Sequence, residues 1–144
     1  MRFLVINGPN LNMLGVREPD IYGKNTLKEL EERILNHCSD SGIEVEFYQS
    51  NHEGSIVDKI QDSYQKFDGL IINPAAYTHT SIAIPDAIKA VGIPSVEVHL
   101  SDIDSREEYR KISYVSPVCI ATIKGKHFDG YIDAVNIIVN HLSK

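Results

Sequence analysis

Glu97 and His99 stand two residues apart in "EVHLSD" (97–102). Residues i and i+2 of a strand share a face, so the carboxylate is placed to orient the imidazole and set its tautomer. Such a histidine is either an acid–base group or an ordinary core residue. Arg17 and Tyr22 stand five apart in "GPNLNMLGVREPDIYGKN" (8–25). A free phenol has a pKa of about 10, too high for a base at neutral pH. A nearby guanidinium stabilises the phenolate and lowers that value. Singly, the two are solvated surface; together, on a loop that closes, they form a candidate general base. His79 lies in "NPAAYTHTS" (73–81) and reads as opening a helix. There it is a structural or capping group, or a contact for an anion or hydroxyl at the positive helix end. Arg110 reads as an exposed charge on a short helix. A zinc site on His79 and His99 lacks a third ligand at convincing spacing.

These residues need a frame. "RFLVIN" (2–7), "IEVEFYQ" (43–49), "GLIIN" (69–73), "PSVEVHL" (94–100) and "VCIATI" (118–123) are apolar runs of strand length. Helical spacing marks 26–41, 55–67 and 127–142, and the last carries Phe128, Tyr131, Ile132, Val135, Ile138, Val139 and Leu142 on one stripe. A further helix is expected over about 81–91, started near Pro85, and a short one over 105–112 capped by Asp104 or Ser105. Thr26 with Glu29 and Ser55 with Asp58 read as N-terminal caps, and Gly42 as a stop.

Strict alternation of strands and helices implies an α/β fold, a parallel sheet covered on both faces. Five strands at this length predict a flavodoxin-like, doubly wound order 2-1-3-4-5. One domain over 1–144 is expected, with 8–25 far longer than an ordinary strand–helix connection and therefore a candidate active-site lid. In this topology ligands bind beyond the strand ends where the order reverses, between strands 1 and 3. The polar exits after Asn7, after Ile72 and at Glu97–Asp102 converge there.

Composition narrows the partners. The 144-residue chain carries a net charge of −6, which argues against nucleic acid. It has no apolar run of membrane-spanning length and no signal-peptide pattern, so a cytoplasmic address without membrane attachment is expected. Cys38 and Cys119 read as buried structural thiols. No G-x-G-x-x-G or P-loop pattern occurs. A receiver-like regulatory module on the same fold is the second reading. It requires acidic residues after the first strand and an aspartate ending the third, where this chain has Asn7 and Asn73.

"INGPNLNMLGVREPDIYG", "NPAAYTHTS", "EVHLSD" and "REEYRKISYVSP", in that order, resemble the type II 3-dehydroquinate dehydratases. The resemblance covers nearly the whole chain. It implies a flavodoxin-like hydro-lyase that removes water from 3-dehydroquinate by anti elimination through an enolate, giving 3-dehydroshikimate. The setting is the shikimate (chorismate) pathway or quinate catabolism, and no metal or cofactor takes part. It further implies Tyr22 as base, Arg17 as the group that lowers its pKa, His99 as acid and Asn10 as holder of a water at the enolate. Asn73, His79, Asp86 and Arg110 would bind substrate hydroxyls and carboxylate, with backbone groups from Leu100 and Ser101. Glu97 would support His99. The implied assembly is a homododecamer, a tetramer of trimers, with Asp86 acting across a subunit boundary.

Overall fold

A computed structural model describes residues 1–16, 18–22 and 25–144; Arg17, Gly23, Lys24 and the side chains of Pro19 and Tyr22 lie outside the described residues. Five parallel strands form one sheet in the order β2-β1-β3-β4-β5. They are β1 (Arg2–Asn7), β2 (Glu44–Gln49), β3 (Gly69–Asn73), β4 (Ser95–His99) and β5 (Ala121–Lys124). The helices are α1 (Pro19–Tyr22), α2 (Leu27–Asp40), α3 (Glu53–Asp62), α4 (Ala83–Val91) and α5 (Asp129–Leu142).

Alternation along each strand divides the core in two. Phe3, Val5, Ile71, Val96 and Val98 point to the face covered by α2 and α5, where they meet Leu30, Ile34, Val135 and Ile138. Leu4, Ile6, Leu70 and Ile72 point to the other face, against Ile56 and Ile60 of α3 and Ile84 and Ile88 of α4. Every residue of β3 is buried, as expected for a central strand covered on both sides.

Local sequence accounts for most boundaries. Thr26 accepts the Glu29 N–H at 3.2 Å and caps α2, and Gly42, at φ 70°, follows its end. The helix α3 differs from its expected span of 55–67. It starts at Glu53, with His52 as N-cap and the His52 N–H bonded to Ser50 Oγ, so Ser55 and Asp58 are not its cap. It stops at Asp62, and Gln65 at φ 61° keeps the chain from continuing, which leaves Tyr64 exposed. Leu35 of α2 is likewise exposed.

Two other expectations fail for related reasons. The segment 105–112 forms no α-helix but two 3₁₀ turns, Ile103–Ser105 and Glu108–Lys111. Its run of charges offers no apolar face whose burial would offset helix nucleation. The first turn is capped by Asp102, which accepts the Asp104 N–H. The fifth strand begins at Ala121, not 118, because Ser116–Val118 is a 3₁₀ turn around Pro117. Cys119 therefore sits before the strand, half-buried, while Cys38 is buried; both are free thiols.

Candidate active site

The carboxyl ends of β1, β3 and β4 open on a cleft. Register brings the walls together. Asn7 and Asn73 are cross-strand partners at the last rung of β1 and β3, and Ile72 pairs with Glu97 of β4. The chain leaving β1 lies directly on the chain leaving β3. The Gly8 N–H donates to the Asn73 carbonyl at 2.8 Å, and a Cβ at Gly8 would stand 2.5 Å from the Pro74 carbonyl oxygen. Only glycine fits that approach.

Asn10 follows, in the left-handed region at φ 70°, its N–H bonded to Asn51 Oδ1 at 3.0 Å. It lines the cleft with Pro9 and Leu11. The opposite wall comes from a 3₁₀ turn, Ala75–His79. His79 therefore closes a short turn and does not open α4, which begins at Ala83 after Ser81 has accepted the Ile84 N–H at 3.0 Å. No helix end polarises the His79 ring. Its Nδ1 donates to the Ile112 carbonyl at 2.7 Å. Burial holds its pKa below the ordinary histidine value, and the Ile112 carbonyl opposes that shift. The His99 and Arg110 charges also lower it. A neutral ring with Nδ1 occupied presents Nε2 as an acceptor, the partner of a hydroxyl rather than an anion.

His99 ends β4 and is almost wholly buried, yet it lines the cleft. Its Nε2 lies 2.5 Å from Glu97 Oε2. Glu97 is completely buried and also accepts from Thr78 Oγ1 at 2.6 Å, Ser113 Oγ at 2.9 Å and, more weakly, Thr122 Oγ1 at 3.4 Å. Burial alone would raise its pKa, but the His99 ring and the Thr78 and Ser113 hydroxyls outweigh it and hold the carboxyl below its usual range. A carboxylate surrounded by donors is an acceptor only, so the proton shared with His99 stays on Nε2. Nδ1 is the ring nitrogen left for a ligand.

Leu100 and Ser101 continue the rim beyond β4, their carbonyls tied to the His127 and Gly125 N–H groups at 3.1 Å each. Arg110 also faces the cleft, its side chain only 17% exposed and its Nε bonded to Glu107 at 2.7 Å. The expectation of a solvated surface charge is thereby corrected. Asp86, in the first turn of α4, is exposed and does not line this cleft. Arg17 and the Tyr22 side chain lie outside the described residues. Among the described residues, no group of three His, Cys, Asp or Glu side chains is placed to hold a metal ion.

The family model for dehydroquinase class II matches residues 1–139. The chain belongs to that family. It is 54% identical to a 3-dehydroquinate dehydratase of Clostridium acetobutylicum and 52% identical to one of Geotalea daltonii, in each case across the whole of both chains. The crystal structure of a type II dehydroquinase from Butyrivibrio crossotus superposes with a TM-score of 0.95 at 51% identity, covering 96% of this chain and 97% of that one.

Against this class II dehydroquinase frame, sequence reasoning missed one charged residue of the cleft. Arg106 lines it, with a side chain 12% exposed, and reaches Glu18 of the long loop at 3.9 Å. The signal was present. Arg106 and Arg110 stand four apart in "REEYR", and both turn inward.

Proposed function

We propose that the chain is a hydro-lyase that dehydrates 3-dehydroquinate to 3-dehydroshikimate, in the shikimate pathway or in quinate breakdown. The observation that carries this reading is the buried Glu97–His99 pair, whose His99 lines a cleft shared with Asn10, Asn73, His79 and Arg110, in a chain of the class II dehydroquinase family.

The reaction takes a weakly acidic proton from the carbon beside a ketone and expels a hydroxyl. It needs a base, a stabilised enolate and an acid. Tyr22 is the base and Arg17 lowers its pKa. Asn10 holds a water against the enolate oxygen, where preorganised donors matter most. His99 gives the departing hydroxyl its proton from Nδ1 while Glu97 keeps the ring in place through Nε2. The carboxylate accepts from that nitrogen whether the ring is charged or neutral, so the ring does not turn as the proton leaves. Such acid–base assistance is worth about 10²–10⁴-fold per group. Asn73, His79 and Arg110 hold hydroxyls and carboxylate, with backbone groups of Leu100 and Ser101. His79 supplies the acceptor for a hydroxyl.

The proposal extends to a single catalytic domain with residues 8–25 as its lid, and to a homododecamer of four trimers. Asp86 then reaches a neighbour's cleft. Its exposure outside its own cleft supports that role, as do the exposed apolar Ile82, Tyr109, Ile112 and Tyr114. A cytoplasmic location is part of the same reading; no helix among the described residues is long and apolar enough to cross a membrane.

Purified protein given 3-dehydroquinate is expected to build up the ultraviolet absorption of the conjugated enone. Absence of that absorption under saturating substrate would overturn the reading. Borohydride added during turnover is expected to leave activity intact, since the mechanism forms no imine; inactivation with a lysine adduct would replace the enolate route.

A further inference from the structure

The polar groups behind the cleft carry an inference about α5, which contributes no residue to the cleft wall. Tyr131 is completely buried under the ends of β1 and β3. Its hydroxyl donates to Asn7 Oδ1 at 2.6 Å and accepts from Asn73 Nδ2 at 3.0 Å. Asn73 Oδ1 accepts the Ala75 N–H at 3.0 Å. Burial pushes the Tyr131 phenol above its ordinary range, so it stays protonated.

The geometry has a direction. Tyr131 has one proton, and it goes to Asn7. Its lone pairs are thereby left for Asn73, which must donate. Of the two Asn73 amide hydrogens, one is held by Tyr131 and the other remains for the cleft that Asn73 lines. One hydrogen bond would let the amide swing about its contact with Ala75. Two, at opposite ends, fix its plane.

We propose that Tyr131 is a positioning residue for the dehydration: its hydroxyl, directed by Asn7, fixes the plane in which Asn73 presents its remaining amide N–H to the substrate. This rests on the assignment of the cleft to 3-dehydroquinate.

The test is steady-state kinetics on Tyr131→Phe, Asn7→Ala, Asn73→Ala and the Tyr131→Phe/Asn73→Ala pair, with thermal melting alongside. Tyr131→Phe keeps the ring and removes the hydroxyl. It is expected to raise KM roughly tenfold while kcat stays within about threefold of wild type. In the Asn73→Ala background it is expected to change kcat/KM no further, since its effect passes through Asn73. Asn7→Ala, outside the cleft, is expected to raise KM in the same sense. A purely structural Tyr131 would lower the melting temperature and leave KM unmoved, or its loss in kcat/KM would multiply with that of Asn73→Ala; either result overturns the proposal. If Tyr131→Phe does not fold, an unchanged KM in Asn7→Ala overturns it alone. If wild-type enzyme yields no enone, the functional assignment falls first and takes this inference with it.

Discussion

The proposed base and the proposed acid of this site differ in their surroundings. His99 sits at the end of a central strand with its ring locked to a carboxylate that also accepts from three other side chains, Thr78, Ser113 and Thr122. Glu97→Gln puts an amide N–H among those donors, and at least one of them loses its acceptor. A loss of about 1–3 kcal/mol is expected, with a fall in kcat as the ring loses its anchor. The pH dependence gives the sharper test. The folded pKa of Glu97 is lowered, so its contribution to stability is present above the unfolded value and is lost as pH falls through the folded one. Urea midpoints measured from pH 7 downward should decline less steeply in Glu97→Gln than in wild type. Parallel acid limbs would show that the carboxylate is not the group concerned. Tyr22 and Arg17 fall within the 8–25 segment of the sequence. Tyr22→Phe should leave substrate binding nearly unchanged and cut turnover by orders of magnitude, the signature of an interaction made in the transition state. Arg17→Ala should also slow turnover and move its alkaline rise to higher pH, toward the free phenol value of about 10. Near-normal turnover in Tyr22→Phe would remove it from the mechanism.

Among the elements, the exits of β1 and β3 matter most, because they set the distance across the cleft. Gly8 is the tightest point. Adding a Cβ there brings it 2.5 Å from the Pro74 oxygen and 2.8 Å from the Pro74 carbon, both backbone atoms that cannot rotate aside. Gly8→Ala is therefore expected to cost about 1–3 kcal/mol and to weaken catalysis by separating Asn10 from Asn73. Gly54 is the control, since a Cβ added there would meet nothing within 4 Å. It lies near the start of α3, and Gly54→Ala should lose no stability. Chemical denaturation of both variants checks the contrast. Equal stabilities would mean that the exits part without strain. The other wall depends on the 110–116 segment, which has little helical character but is pinned three ways. His79 bonds the Ile112 carbonyl, the Tyr114 N–H bonds the Thr78 carbonyl, and Ser113 bonds Glu97. Those contacts, not helix propensity, hold Arg110 in the cleft.

For the whole molecule the question is whether one chain suffices. Asp86 is exposed and away from its own cleft. If it completes a neighbour's site, two inactive variants should complement. Tyr22→Phe subunits carry an intact Asp86, and Asp86→Asn subunits carry an intact Tyr22. Refolding them together should restore activity above the sum of the two alone, and sedimentation should show a particle of roughly twelve chains, as the family resemblance implies. A fully active monomer, or mixtures no better than their parts, would refute the shared site. Much of the molecule is legible in the order of residues alone. Strand order and two-sided burial follow from apolar runs separated by helical periodicity, a pattern with one economical solution. The Glu97–His99 pair follows from the two-residue period of a strand. What the sequence does not settle are matters of contact between distant segments. Nothing local to "SREEYRK" distinguishes a surface helix from 3₁₀ turns strapped inward, so the sequence conceals Arg106 and suggests a surface place for Arg110. Nothing near His79 foretells that its Nδ1 finds the Ile112 carbonyl and makes it a neutral acceptor. Tyr131 looks like one more apolar position on the stripe of α5; only packing over the aligned ends of β1 and β3 brings its hydroxyl between Asn7 and Asn73. A residue's type and period declare which face it takes, but its hydrogen-bond partners are chosen by whatever the fold places opposite.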